Sequence, residues 1–216
     1  MNQKAIFFIT AAALLVLFFV AGAVVQQQQG AQKSAAMDEK QQLLMRSGAP
    51  TKGPKDAKVT IVEFLDPACE TCRDFYGLVK KLMNQYPGKV NLVVRYAPFH
   101  TGSDQVVAML EAANKQGKFW PALELLFKAQ HRWVYKHQSQ PMRAYPLLTT
   151  LDLDKERFAA DMNSPEVQKI VQKELQDAQA LGVRATPEFF VNGTPMPSFG
   201  YKQLSKLVAD AVADAY

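Results

Sequence analysis

The two cysteines of this 216-residue chain stand three positions apart, as Cys69-Glu70-Thr71-Cys72. Thiols so close in sequence close too small a loop to staple a fold, so their value is chemical. They fall where a strand-like run, KVTIVEF at 58–64, gives way through Asp66-Pro67-Ala68 to a helical pattern. A helix N-terminus carries about half a positive charge and unpaired N–H groups, and both stabilise a thiolate. An unperturbed thiol has a pKa of about 8.5, so only a few per cent is ionised at neutral pH. Lowering that value makes Cys69 a ready nucleophile and a good leaving group. Cys72 follows one helical turn later, able to reach Cys69 but shielded behind it. Cys69 is therefore expected to form the mixed disulfide with a substrate, and Cys72 to resolve it.

A C-x-x-C pair is also half of many zinc sites. The only histidines are His100, His131 and His137, and none has a metal-ligand spacing with the cysteines. No metal and no cofactor is expected. A Cu(I)-binding module using the two soft thiolates is the alternative from a different class. Glu63 lies within the apolar strand, six residues before Cys69. It is either an exposed strand position or a partly buried acid that assists proton transfer to or from Cys72. Arg95 and His100 read as surface or capping residues, and Phe119, Trp120, Phe127 and Trp133 as core.

The elements that position the pair follow from periodicity. Residues 58–64 and 90–96 read as buried strands joined through a helix from about 70 to 85, a βαβ unit. A long helical block comes next. Within it Asp154 is a helix cap, and Ser164-Pro165-Glu166 starts a helix that ends at Gly182. The chain returns to strand at 188–191, turns at Asn192-Gly193 and adds a short edge strand carrying Pro195 and Pro197. A final helix runs from about 201 to 215. Thr186-Pro187 opens the 188–191 strand, and taken alone such a dipeptide is usually trans and marks a boundary.

Residues 5–25 form an uncharged apolar run long enough to cross a membrane core about 30 Å thick. Lys4 favours a cytoplasmic N-terminus, which would export the rest of the chain, and Ala21-Gly22-Ala23 offers a signal-cleavage site. The expected organisation is a transmembrane anchor or signal at 1–25, a polar linker of low structural content at 26–57, and one domain at 58–216. The formal charge of +5 is spread along the chain rather than gathered in a run, so no nucleic-acid partner is expected.

With these elements in order, the chain resembles the DsbA-like thioredoxin family. The resemblance rests on VTIVEFLDPACETCRDF at 59–75, QGKFWPALELLF at 116–127 and GVRATPEFFVNG at 182–193. It implies an α/β thioredoxin-like fold with a helical domain inserted at about 103–181. It implies a nucleophilic Cys69, a resolving Cys72, a cis Pro187 facing the disulfide, and Glu63 as the strand acid. Ala185 and Thr186 would offer backbone to an extended substrate, with Glu70 and Thr71 beside it. The implied partners are exported cysteine-containing proteins and a membrane redox partner, either a DsbB-type oxidase or, in the alternative reading as a disulfide reductase or isomerase of the same fold, an electron donor. The implied location is the periplasm, with residues 5–25 anchored in the inner membrane. Strongly oxidising members carry Pro-His between the cysteines. Glu70-Thr71 stands there in this chain, and the charge of Glu70 is expected to oppose the thiolate.

Overall fold

The fold is that of a computed structural model describing residues 2, 22, 24–32, 37 and 39–216. The apolar run at 5–25 lies outside the described residues except at 22, 24 and 25. Among the described residues, no helix is long and apolar enough to cross a membrane. Residues 24–32 and 39–44 are helical, where the polar composition suggests a tether of low structural content. The folded unit is Leu43–Tyr216, so it begins well before residue 58. Leu44 is fully buried and Thr51–Lys52 forms a first short strand, β1.

Among the described residues the sheet has five strands: β1, then β2 (Val59–Leu65), β3 (Val90–Tyr96), β6 (Glu188–Val191) and β7 (Thr194–Pro195), in the order β1-β3-β2-β6-β7. β2 pairs parallel with β3 across the helix Glu70–Gln85, and antiparallel with β6. β7 stays two residues long because Pro195 and Pro197 cannot donate ladder hydrogen bonds. Asn192 and Gly193, with φ of 47° and 80°, make the turn between β6 and β7.

Both faces of the sheet are covered, which explains the unbroken apolar character of β2 and β3. On one face Ile61, Leu65, Leu92, Val94 and Phe189 pack with Phe75, Val79 and Leu82 of the helix after β2, and with Leu204 and Val208 of the helix Tyr201–Ala215. On the other, Leu44, Val62, Phe64, Val93, Ala97 and Phe190 pack under Ala178 and Val183. Each fully buried aliphatic or aromatic side chain here contributes about 1.5–3 kcal/mol against exposure.

Between Ser103 and Ala180 the chain builds the helical insertion, from Ser103–Asn114, Phe119–Lys128, Gln130–Trp133, Pro141–Leu148, Lys155–Met162 and Pro165–Ala180. The sequence caps are in place: Asp154 accepts from the Arg157 amide and Ser164 from the Val167 amide. Phe119, Phe127 and Trp133 are core residues, with Trp120 packed at the edge. A small hairpin, β4 (Val134–Tyr135) with β5 (Gln138–Ser139), interrupts the block. Its turn residues Lys136 and His137 have φ of 49° and 58°.

Arg95 is not a surface residue. It is fully buried, donating to Glu174 at 3.0 and 2.9 Å and to Asp177 at 2.7 Å, with its guanidinium 5.2 Å from the centre of the Phe64 ring. Arg46 shares Glu174 and also meets Glu111 at 3.3 Å. Strand alternation places Arg95 on the smaller core face, where Glu174 and Asp177 of the helix Pro165–Ala180 neutralise it.

Candidate active site

Cys69 is the N-cap of the helix Glu70–Gln85. Its sulfur accepts the Cys72 amide at 3.3 Å and lies 3.3 Å from the Thr186 carbonyl oxygen. Both cysteines are free thiols. Cys69 is 7 % exposed and Cys72 fully buried, so only the first presents sulfur to the surface. The hydrogen bond with the Cys72 side chain, joined by one from Thr186 and by the Cys72 and Thr71 amides, pulls Cys69 down to about 6 against the opposing effect of burial. Burial first, then the bond and charge of Cys69, push Cys72 well above an ordinary thiol. The two sulfurs are thus separated into a nucleophile ionised at neutral pH and a protonated neighbour.

Glu63 is fully buried, with neither carboxyl oxygen hydrogen-bonded among the described residues. It is not the exposed strand position. β2 is covered on both faces, so the alternate position is buried as well, on the side of Ile61 and Leu65 beneath the helix of the cysteines. Burial, reinforced by the charge of Cys69, raises Glu63 to about 8. The charge of Glu63 adds in turn to the rise of the Cys72 thiol. A carboxylic acid that holds its proton near neutrality, is raised by Cys69 and itself acts on Cys72 is suited to trade that proton with Cys72.

The Thr186–Pro187 bond is cis, with Pro187 buried, Thr186 half-buried and Ala185 exposed. Glu70 turns its carboxylate toward His137, 3.4 Å away. Hydrogen bonds, not the charge of Glu70, are the largest influences that lower Cys69. Thr71 is exposed beside Glu70.

Three residues were not legible as parts of the site. Asp66, read only as a strand breaker, is fully buried and accepts from the Ala68 amide at 2.8 Å, the Ser103 hydroxyl at 2.6 Å and the His100 amide at 2.8 Å. His100 is not simply a surface or capping residue. Its Nδ1 lies 2.8 Å from Asp66 and its ring stacks on His137 at 6.2 Å between centres. The bond to Asp66, with the nearby charge of Cys69 adding to it, raises its pKa. Gln130 sits 1 % exposed in the insertion and donates its amide to the carbonyls of Pro67 and Cys69, both at 3.0 Å. The only signal in the sequence was the Asp66-Pro67 break itself. Among the described residues, no three His, Cys, Asp or Glu side chains gather into a metal-holding group.

The thioredoxin family model matches residues 46–210. The chain is 38% identical over 142 residues to a Na(+)/H(+) antiporter NhaA of Herminiimonas arsenicoxydans, covering 66% of this chain and 22% of the antiporter. It spans about a quarter of the antiporters it matches. A probable disulfide bond formation protein D of Bacillus anthracis is 31% identical over 148 residues, 65% of this chain and 68% of that protein. The crystal structure of a thioredoxin-like oxidoreductase from Silicibacter pomeroyi DSS-3 superposes with a TM-score of 0.68 at 28% identity, over 81% of this chain and 98% of that one.

Proposed function

The chain belongs to the thioredoxin family, and from that premise we propose that it is a thiol–disulfide oxidoreductase exchanging disulfides with exported proteins through Cys69 and Cys72. The observation that carries this reading is the opposed ionisation of the two thiols. Cys69 is held near 6 at a helix N-terminus, while Cys72 is kept protonated behind it.

In the reducing direction, the Cys69 thiolate attacks one sulfur of a substrate disulfide. The Cys69–substrate bond forms, the substrate S–S bond breaks, and the departing sulfur leaves as a thiolate that takes a proton. With the charge of Cys69 consumed in the mixed disulfide, Glu63 ionises more readily. It takes the proton of Cys72, which attacks Cys69. The Cys69–substrate bond breaks as the second substrate sulfur leaves as a thiolate and takes that proton. The internal disulfide forms and the substrate leaves as a dithiol. Two electrons have passed from the protein to the substrate. The oxidising direction is the reverse, and it leaves the protein as the dithiol. Thr186 and Ala185 would present backbone to an extended substrate as an added strand, with Pro187 behind them and Glu70 and Thr71 at the rim.

The reading extends to a periplasmic setting, anchorage through residues 5–25 and a membrane partner of DsbB type that restores the disulfide. The name carried by the Bacillus anthracis relative, disulfide bond formation, supports the oxidising direction. Replacing Cys72 by Ser tests the division of labour. The C72S protein should accumulate a mixed disulfide with a substrate protein, visible on a non-reducing gel and dissolved by reductant, whereas C69S should trap none. Equal trapping by both variants would overturn the assignment.

A further inference from the structure

Beyond the cysteines, the helix that carries them borders an open groove with a volume of about 610 Å³. Arg73, Tyr76, Lys80, Lys81, Glu124 and Lys128 line it. Helical spacing sets its course. Residues 73, 77, 80, 81 and 84 follow Cys69 at intervals of three to four, so the lining begins one turn past the nucleophile and continues on its side of the helix. Its charge is unbalanced, with four cations facing one carboxylate, although Arg73 also meets Asp74 at 2.9 Å. That carboxylate is already engaged. Glu124 accepts from Tyr76 at 2.8 Å and Lys80 at 3.1 Å, and Lys52 lies 3.6 Å away. Lys81 and Lys128 are exposed and form no ion pair among the described residues. The groove is also open where it could have been filled: a Cβ built on Gly77 would meet nothing within 4 Å.

We infer that this groove docks an acidic, extended segment of the partner polypeptide, next to the cysteine that is joined to Cys69. The inference rests on the thiol–disulfide exchange reading and adds a substrate class to it. The eleven helical steps from residue 73 to residue 84 span roughly 16 Å, which an extended chain covers in about five residues. The acidic residues therefore belong within about six positions of the attacked cysteine. Charges at such a rim act mainly on the rate of encounter, and their effect fades with salt.

The test uses the full chain and three disulfide-containing peptides of one length, carrying Asp/Glu, Gln or Lys at the positions following the cysteine. At low salt the acidic peptide should be reduced on the order of 10-fold faster than the neutral one, with the advantage shrinking in high salt. The double variant Lys81→Glu, Lys128→Glu should reverse the order and favour the basic peptide, a result that misfolding cannot produce. Equal rates for the three peptides, or an order unmoved in the variant, would overturn the proposal. Exchange of the unaltered protein with glutathione disulfide reads the chemistry separately. If it is absent, the oxidoreductase reading fails. The groove is then judged by fluorescence anisotropy of the acidic peptide with Ser in place of Cys, where binding equal to that of the basic peptide would overturn it.

Discussion

The side-chain amide of Gln130 donates to the carbonyl oxygen of Cys69 across 3.0 Å, joining the helical insertion to the backbone of the nucleophile. A second bond from the same nitrogen holds Pro67, while Asp66 ties the loop to Ser103 and His100. The insertion therefore grips the loop before the helix and fixes where the thiolate meets the helix N-terminus.

Gln130→Ala removes the donor to both carbonyls. Stability should fall by about 1–3 kcal/mol, measured by urea denaturation, because two buried acceptors lose their partner. A loss of packing alone would stop there. Positioning of the thiolate predicts in addition that the pH profile of Cys69 alkylation, centred at about 6, moves upward. An unmoved profile would restrict Gln130 to a structural part.

Glu63 makes stability depend on pH in a defined direction. Its pKa is about 8 in the fold against an ordinary value of 4.5. Below the unfolded value both states hold the proton and the acid has no effect. As pH rises from there through about 8, the unfolded chain releases the proton more readily, so stability falls; above that it levels off. Glu63→Gln should flatten this decline and gain on the order of 2–4 kcal/mol at about pH 8, measured by urea denaturation across the range.

The same Glu63→Gln change should slow the step in which Cys72 resolves the mixed disulfide by about 10- to 100-fold, in single-turnover release of a substrate thiol. Formation of the mixed disulfide, which uses the already ionised Cys69, should change little. Equal slowing of both steps would assign Glu63 a structural part only.

Arg95 should be far less replaceable than an exposed arginine. Arg95→Met leaves Glu174 and Asp177 without their fully buried partner, and breaking such a pair from one side costs about 3–5 kcal/mol. Thermal unfolding of the variant reads this directly. A loss within the range of a surface pair, about 1 kcal/mol or less, would mean that Arg46, which shares Glu174, and Lys173, which pairs with Asp177, carry the carboxylates alone.

What was legible in the sequence was local. The Cys69 cap position, the caps at Asp154 and Ser164, and the turn at Asn192-Gly193 depend on neighbouring residues, and each is found where the pattern puts it. What was not legible joins distant segments. Alternation in β2 and β3 cannot tell a strand with one wet face from one covered on both, so Glu63 was ambiguous until the helices Glu70–Gln85 and Tyr201–Ala215 were seen over its face, and Arg95 read as a surface residue until Ala178 and Val183 were seen over the other. Gln130 looks like any polar helix residue until the insertion folds back on Pro67. The β4–β5 hairpin carries no Gly or Asn at its left-handed positions, Lys136 and His137, so its turn left no mark in the composition.

The most direct test of the central claim is the reduction potential of the Cys69–Cys72 pair, by equilibrating the full chain with glutathione and counting free thiols. A lowered Cys69 pKa stabilises the dithiol and makes the disulfide more oxidising. The predicted midpoint lies between the roughly −270 mV of thioredoxin and the roughly −120 mV of DsbA. A midpoint at or below the thioredoxin value, or cysteines that pair with glutathione separately without forming an internal disulfide, would contradict the account.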